Sequence, residues 1–296
     1  MRILFIVNPI SGLGRGKELP EKLKKLPEYT KIDYRVVFTE YAGHAQKLVE
    51  EARTNKQYTH IVAAGGDGTV NEVGVALCGS DIAFAVIPFG SGNGFARHMG
   101  FSIFMTKALK QVLSDKQIQI DVLQINDKYS LNVSGIGFDA EVAHKFNKQK
   151  LRGMLSYIYA SVKLWFYYPG KEYKITSGDT VMKTHCFILS FANSSQYGNN
   201  AYNAPHASVS DGLLDLCILK RPAFFEVMWF LLFFVSANIY KLSYYKEIQC
   251  EEITVEGDIN RVHIDGDAYF MQSPIHVKIL PKILKVVHPN AEYTNI

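Results

Sequence analysis

The sequence is poor in the features that staple small or secreted domains. Only four cysteines occur in 296 residues, Cys78, Cys186, Cys217 and Cys250, and no two form a Cys-x-x-Cys pair. That scatter excludes a disulfide framework or zinc ribbon and fits reduced core thiols in a cytosolic protein. No basic run with interleaved aromatics is present and the formal net charge is only +4, so nucleic-acid binding is not expected. A leader is not expected either. Residues Met1 to Val7 are apolar but too short for a signal peptide and carry no cleavage site, so they read as a first strand. The remaining composition, 48% hydrophobic and 20% charged, is that of a soluble globular protein with chain enough for two domains.

One stretch organises the rest. Ile61 to Ala64 is a short apolar run of the kind found in buried parallel strands, and Gly65-Gly66-Asp67-Gly68-Thr69 stops it. Val70, Val73 and Leu77 then resume at helical spacing. Strand, glycine turn and helix together present backbone N–H groups and a positive helix end to a phosphate. Glycines are expected there because a Cβ would hold the phosphate away and would disfavour positive φ. Asp67 is the odd member, because a carboxylate beside an anion is repelled unless a cation or a transferable proton lies between them. The alternative is a plain glycine turn capped by Asp67 or Thr69, with Asn71 and Glu72 solvated.

The same layout recurs twice in the first 120 residues. Ile3 to Val7 runs into Asn8-Pro9-Ile10-Ser11-Gly12-Leu13-Gly14-Arg15-Gly16-Lys17, and Phe84 to Pro88 runs into Phe89-Gly90-Ser91-Gly92-Asn93-Gly94. Helices are expected over Leu19–Leu26 and Ala42–Arg53, and an alternating strand over Asp33–Phe38 ending at Thr39. From about Asp121 the pattern changes to short strands separated by turns, including Lys128–Val133, His185–Ala192, Leu213–Leu219, Arg261–Asp265 and Ile275–Leu280. The fold class expected is therefore α/β plus β. Residues 1–120 form a Rossmann-like parallel nucleotide-binding domain. Residues 121–296 form a mostly antiparallel β-domain with helical insertions, its C-terminal end packing back on the first.

Two carboxylate turns in the second part are candidates for chemistry. Asp265-Gly266-Asp267 follows a strand, and two readings stand level: a plain hairpin turn, or converging carboxylates with one pKa raised toward a useful range. Ser208-Val209-Ser210-Asp211-Gly212-Leu213 reads by itself as an ordinary Asx turn.

These motifs carry a family resemblance. Gly65-Gly66-Asp67-Gly68-Thr69 with Asn71-Glu72 resembles the nucleotide loop of the diacylglycerol-kinase and sphingosine-kinase family, whose superfamily includes NAD kinases. The match continues in order through Asn8-Pro9-x-Ser11-Gly12, Thr39, Gly90-Ser91-Gly92-Asn93, Gly137-Phe138-Asp139-Ala140, Phe191-Ala192-Asn193-Ser194 through Tyr197-Gly198, and Ala204-Pro205 leading to Asp211-Gly212-Leu213-Leu214-Asp215, to Asp265-Gly266-Asp267. NAD kinases share the first loop but not this set. The resemblance implies a β-sandwich for the second domain and ATP with Mg²⁺ as cofactors. It places the nucleotide at Asn8, Pro9, Ser11, Gly12, Thr39, Gly65, Gly66, Asp67, Gly68, Thr69, Asn71, Glu72, Ser91 and Asn93. It implies a structural Mg²⁺ at Ser208, Asp211 and Leu213, and a proton acceptor at Asp267, with Asp67 as a competing base. Two departures stand out. Gly94 replaces a family aspartate, and Asp267 replaces a glutamate with a side chain one methylene shorter.

The activity implied is ATP-dependent phosphorylation of a lipid hydroxyl, such as that of diacylglycerol or a sphingoid base, by a protein peripheral to the cytoplasmic membrane face. The alternatives are a soluble NAD-kinase-type enzyme and a silent nucleotide or lipid binder. Two apolar stretches bear on the membrane. Tyr157 to Tyr168 is aromatic at helical spacing, and Ala223 to Tyr240 reads as one nearly uncharged helix of about 27 Å, marginal for a span. The expected place for the second is the core or a homodimer face, with a membrane or acyl-chain surface as the functional alternative.

Overall fold

The computed structural model describes residues 1–147 and 154–289. The chain divides into two compact units, Met1–Asp121 with the residues from Pro281 onward, and Val122–Leu280.

In the first unit strands and helices alternate. They are β1 (Arg2–Val7), α1 (Leu19–Lys25), β2 (Asp33–Phe38), α2 (His44–Asn55), β3 (His60–Gly65), α3 (Asp67–Leu77), β4 (Ala83–Pro88), α4 (Gly94–His98) and α5 (Met105–Val112). The strands pair in parallel in the order β2-β1-β3-β4. All residues of β3 and β4 are buried. Their unbroken apolar runs are what a sheet covered on both faces requires. α2 begins at His44 rather than Ala42 because Gly43 is left-handed, with φ 84°. β5 (Gln117–Ile125) then leads out of the unit, and Asp121 on it accepts the Lys282 N–H at 2.7 Å, which fixes the returning chain.

The second unit contains β6 (Lys128–Ser130), β7 (Val133–Gly137), α6 (Phe138–Asn147), α7 (Met154–Tyr167), β8 (Lys171–Ser177), β9 (Thr180–Cys186), β10 (Ile188–Ala192) and β11 (Leu214–Leu219). There follow α8 (Val227–Val235), β12 (Tyr245–Cys250), β13 (Glu252–Gly257), β14 (Arg261–Ile264), β15 (Asp267–Phe270) and β16 (Ile275–Val287). One sheet is antiparallel in the order β12-β11-β10-β7-β14-β15. Facing it are β9, β8, β13 and the first half of β16. Leu189, Phe191, Leu216 and Val262 of the first sheet pack with Tyr173, Ile175, Val255 and Val277 of the second. That is the interleaved core of a sandwich.

The structure corrects three segments. The strand expected over Lys128–Val133 is β6 and the start of β7, which lie in different sheets. The strand expected over His185–Ala192 is two strands in different sheets, divided at buried Phe187. The helix expected over Ala223–Tyr240 is a 3₁₀ turn (Phe224–Glu226), α8 and a second 3₁₀ turn (Ile239–Lys241). Left-handed Ala237, at φ 57°, ends any longer helix. No residue of α8 is buried, so the expected core placement is wrong: Trp229 is 61% and Phe225, just before it, 80% exposed. No described helix is long and apolar enough to cross a membrane.

Candidate active site

Three loops leave the carboxyl ends of β1, β3 and β4, the edge where open α/β sheets bind ligands. The chain passes from β1 to β2 on one side and then to β3 on the other, so the strand order reverses between β1 and β3. Asn8 bridges that switch point: its Nδ2 donates to Thr69 Oγ1 at 3.3 Å and its Oδ1 accepts the Ile10 N–H at 3.1 Å. Pro9 and Ser11 are half-buried beside it, and the Thr39 N–H, donating to the Val7 carbonyl at 2.8 Å, stands at the end of the same strand. Gly12 is irreplaceable on two counts. Its φ is +60°, and a Cβ would lie 2.6 Å from the Phe89 carbonyl oxygen. Arg15 extends from the first loop to within 5.8 Å of the Phe89 ring on the third.

The glycines of the central loop are needed for a different reason than positive φ. Gly65, Gly66 and Gly68 all lie outside the left-handed region. Crowding is the constraint instead: a Cβ on Gly65 would meet Thr69 Oγ1 at 2.6 Å, and one on Gly90 would meet the Gly66 Cα at 2.8 Å. The second and third loops therefore touch backbone to backbone. No side chain caps α3 at Gly66, which leaves its positive N-terminal end for an anion.

Two carboxylates that the sequence places near a ligand have structural partners here. Asp67 accepts the Asn93 and Gly94 N–H groups, each at 2.9 Å, and so straps the third loop to the start of α3. Glu72 accepts the Gly43 N–H at 2.8 Å and the Ala45 N–H at 3.2 Å, capping α2. Asn71 is half-buried on α3 and Ser91 is exposed on the third loop. Asn93 is buried and left-handed, with φ 56°. It donates through Nδ2 to the Gly90 carbonyl at 2.7 Å, and its buried Oδ1 has no hydrogen-bond partner.

In the second unit Asp265 and Gly266 have φ 50° and 91°, and Ile264 pairs with Asp267, which makes a two-residue hairpin. The hairpin reading of the turn therefore holds in the structure. Asp265 is fully engaged: it accepts Ser130 Oγ at 2.5 Å, the Leu131 N–H at 2.9 Å and the Asn132 N–H at 3.0 Å. Asp267 is the exposed carboxylate of the pair. Behind the hairpin is a buried polar network in which Asp139 Oδ2 partners His263 Nε2 and accepts Tyr197 OH, each at 2.9 Å. The Gly-Phe-Asp-Ala and Tyr-Gly elements therefore position the hairpin, a role that only the fold reveals.

The turn at Asp211 has Asx geometry. Leu213 N–H donates to Asp211 Oδ1 at 3.0 Å, and Ser208 Oγ accepts the Ser210 N–H at 3.4 Å. Among the described residues no group of three or more His, Cys, Asp or Glu side chains is placed to hold a metal. Asp215 ends the family-like Asp211-Gly212-Leu213-Leu214-Asp215 run, to which the sequence assigned no role; on β11 it is 1% exposed, opposite Gln249. Burial, reinforced by the Glu247 and Asp211 carboxylates, pushes its pKa up to about 7. Gln249 and His206 act the other way and favour the charged form.

Comparison with known proteins follows the same division. A diacylglycerol kinase catalytic domain matches residues 2–125, and a YegS C-terminal NAD kinase beta sandwich-like domain matches residues 132–288. A Staphylococcus carnosus protein named "Putative lipid kinase" is 26% identical over 271 residues, 86% of each chain. A Pseudomonas putida protein named "Probable lipid kinase YegS-like" is 31% identical over 195 residues, 64% of this chain and 65% of that one. A Bacillus anthracis crystal structure titled as a putative diacylglycerol kinase shares the fold, with TM-score 0.77 at 22% identity over 98% of this chain and 97% of that one. With both domain models matched in sequence along the chain, the protein belongs to the diacylglycerol-kinase-like lipid kinase family of YegS type.

Proposed function

We propose that the protein is an ATP-dependent lipid kinase that transfers the γ-phosphate to the hydroxyl of a lipid such as a diacylglycerol or sphingoid base. The observation that carries this reading is the contact of the Gly66 and Gly90 backbones beside the uncapped start of α3. Side-chain-free backbone at a helix N-terminus is a cradle for polyphosphate. The nucleotide-binding set is Asn8, Pro9, Ser11, Gly12, Thr39, Gly65, Gly66, Gly68, Thr69, Asn71, Ser91 and Asn93, with Asp67 and Glu72 holding the loops in place.

In the reaction the acceptor hydroxyl oxygen forms a bond to the γ-phosphorus as the bond to the leaving ADP oxygen breaks, and Asp267 takes the hydroxyl proton. Bound with the nucleotide, Mg²⁺ supplies positive charge to the phosphate oxygens. A second, structural Mg²⁺ would be held at the Asp211 turn by the Asp211 side chain and the Ser208 and Leu213 carbonyl oxygens, with the buried Asp215 carboxylate adding negative charge beside it. If so, adding millimolar Mg²⁺ to the nucleotide-free protein at pH 8 raises Tm, and Asp215→Asn shows a much smaller rise. Equal Mg²⁺ responses in the two proteins would remove the metal from this turn.

The deciding experiment is calorimetry with ATP followed by an acceptor screen of lipids in mixed micelles against NAD. Lipid phosphate formation with no product from NAD is expected. NADP formation would select the soluble nucleotide kinase, and ATP binding without any product would select a silent binder.

A further inference from the structure

The outer side of α8 is an apolar surface that the proposed chemistry does not use. Phe230, Phe233 and Phe234 turn inward against buried Ala204, Cys217, Leu219 and Ile239. The opposite side carries Met228, Trp229, Leu232 and Val235, continued by Phe224 and Phe225 of the preceding turn, all exposed. The patch extends onto α7, where exposed Phe166 approaches Phe224 with ring centroids 6.5 Å apart. A helix that is apolar all round is normally buried on all sides, and contiguous apolar surface of this kind marks an interaction site.

The charges in and beside the patch favour one kind of occupant. In residues 161–168 and 220–241 the charged side chains are Lys163, Lys220, Arg221, Glu226 and Lys241. All four cations are exposed, whereas the one carboxylate, Glu226, is engaged by the Ala223 N–H at 2.8 Å. Arg221 is anchored at the edge by donating to the Trp165 carbonyl at 2.7 Å, and Lys241 stands 5.6 Å from the Tyr240 ring. Aromatic and aliphatic side chains within a cationic rim are the pattern of an element that lies in the headgroup boundary of an anionic bilayer. A second copy is a poorer occupant. An isologous contact sets the same patch against itself and brings the two cationic rims together.

We propose that α8, with the turn before it and the end of α7, docks this unit on an anionic membrane surface. The docking rests on the lipid-kinase reading only for its biological purpose, and its test is independent of turnover. With Trp165→Phe, Trp229 is the sole tryptophan of the chain. Its emission should shift to the blue on adding phosphatidylglycerol vesicles and be quenched by brominated acyl chains. Trp229→Ser with Leu232→Ser should weaken vesicle sedimentation at least about tenfold. Lys163→Gln and Lys241→Gln should each weaken it about fivefold on phosphatidylglycerol and scarcely on phosphatidylcholine. Turnover of ATP with a short-chain, water-soluble diacylglycerol should be unchanged in all of them. Wild-type protein that phosphorylates the short-chain acceptor yet ignores vesicles would overturn the docking and leave the kinase standing. Vesicle binding without any phosphoryl transfer would do the reverse. A dimer in sedimentation velocity that Trp229→Ser dissociates, with Trp229 emission indifferent to vesicles, would assign the patch to a second copy and overturn the proposal.

Discussion

Asp267→Asn is expected to lower kcat by about 10² to 10⁴-fold while ATP affinity stays nearly unchanged. The hairpin gives the reason. Its two acidic residues have unlike surroundings, and Asp265 already satisfies a hydroxyl and two backbone N–H groups. Spending Asp265 on a proton would release the Ser130–Asn132 segment. Asp267, by contrast, is exposed on β15. Asparagine keeps its size and much of its hydrogen bonding but removes basicity, so the loss belongs to turnover. Asp267→Glu lengthens the side chain by one methylene to the residue usual in the family and should retain activity or raise it. Asp265→Asn serves as the control. It should lower Tm together with kcat, because an amide cannot accept from three donors as the carboxylate does. Near-normal turnover in Asp267→Asn would remove the base from this turn.

How much of this is legible in the sequence depends on how local each feature is. β3 and β4 are unbroken apolar runs ended by glycine or proline, so their nature and the loops after them can be read directly. The partners of Asp67 and Glu72 cannot, because the amides they accept lie 26 to 29 residues away. Asp215 misleads in another way. It alternates with Leu214 and Leu216 as a solvent-facing strand residue would. In the fold, Leu216 faces the sandwich core while Cys217, on the side of Asp215, is covered by Ala204, Ala207, Ile239 and Tyr245. α8 is the converse. Composition gives no distinction between a helix apolar because it is buried and one apolar on an open face, so only the exposure of Trp229 and its neighbours separates the two.

Asp67→Asn separates the remaining pair of roles for that carboxylate, and its expected outcome is a joint loss of stability and ATP affinity. The two oxygens of Asp67 receive the N–H groups of Asn93 and Gly94, both buried residues, at 2.9 Å each. An asparagine offers one oxygen, and its NH₂ group then opposes a backbone N–H in either flip. One buried donor is left unsatisfied, at a cost of about 1–3 kcal/mol. The third loop is released from the start of α3, just where Gly90 rests against Gly66. Tm should therefore fall by several degrees, since about 1 kcal/mol corresponds to roughly 2–4 °C in a chain of this order of size. The apparent KM for ATP should rise with it, because loop register sets the backbone donors that meet phosphate. The fall in kcat at saturating ATP should be smaller than that of Asp267→Asn. Asp67→Ala, which removes both acceptors, should exceed Asp67→Asn in Tm and KM alike. If Asp67 instead carries the acceptor's proton, Asp67→Asn keeps the wild-type Tm and ATP affinity and loses turnover alone. That pattern, together with near-normal turnover in Asp267→Asn, would move the base from the hairpin to the head of α3.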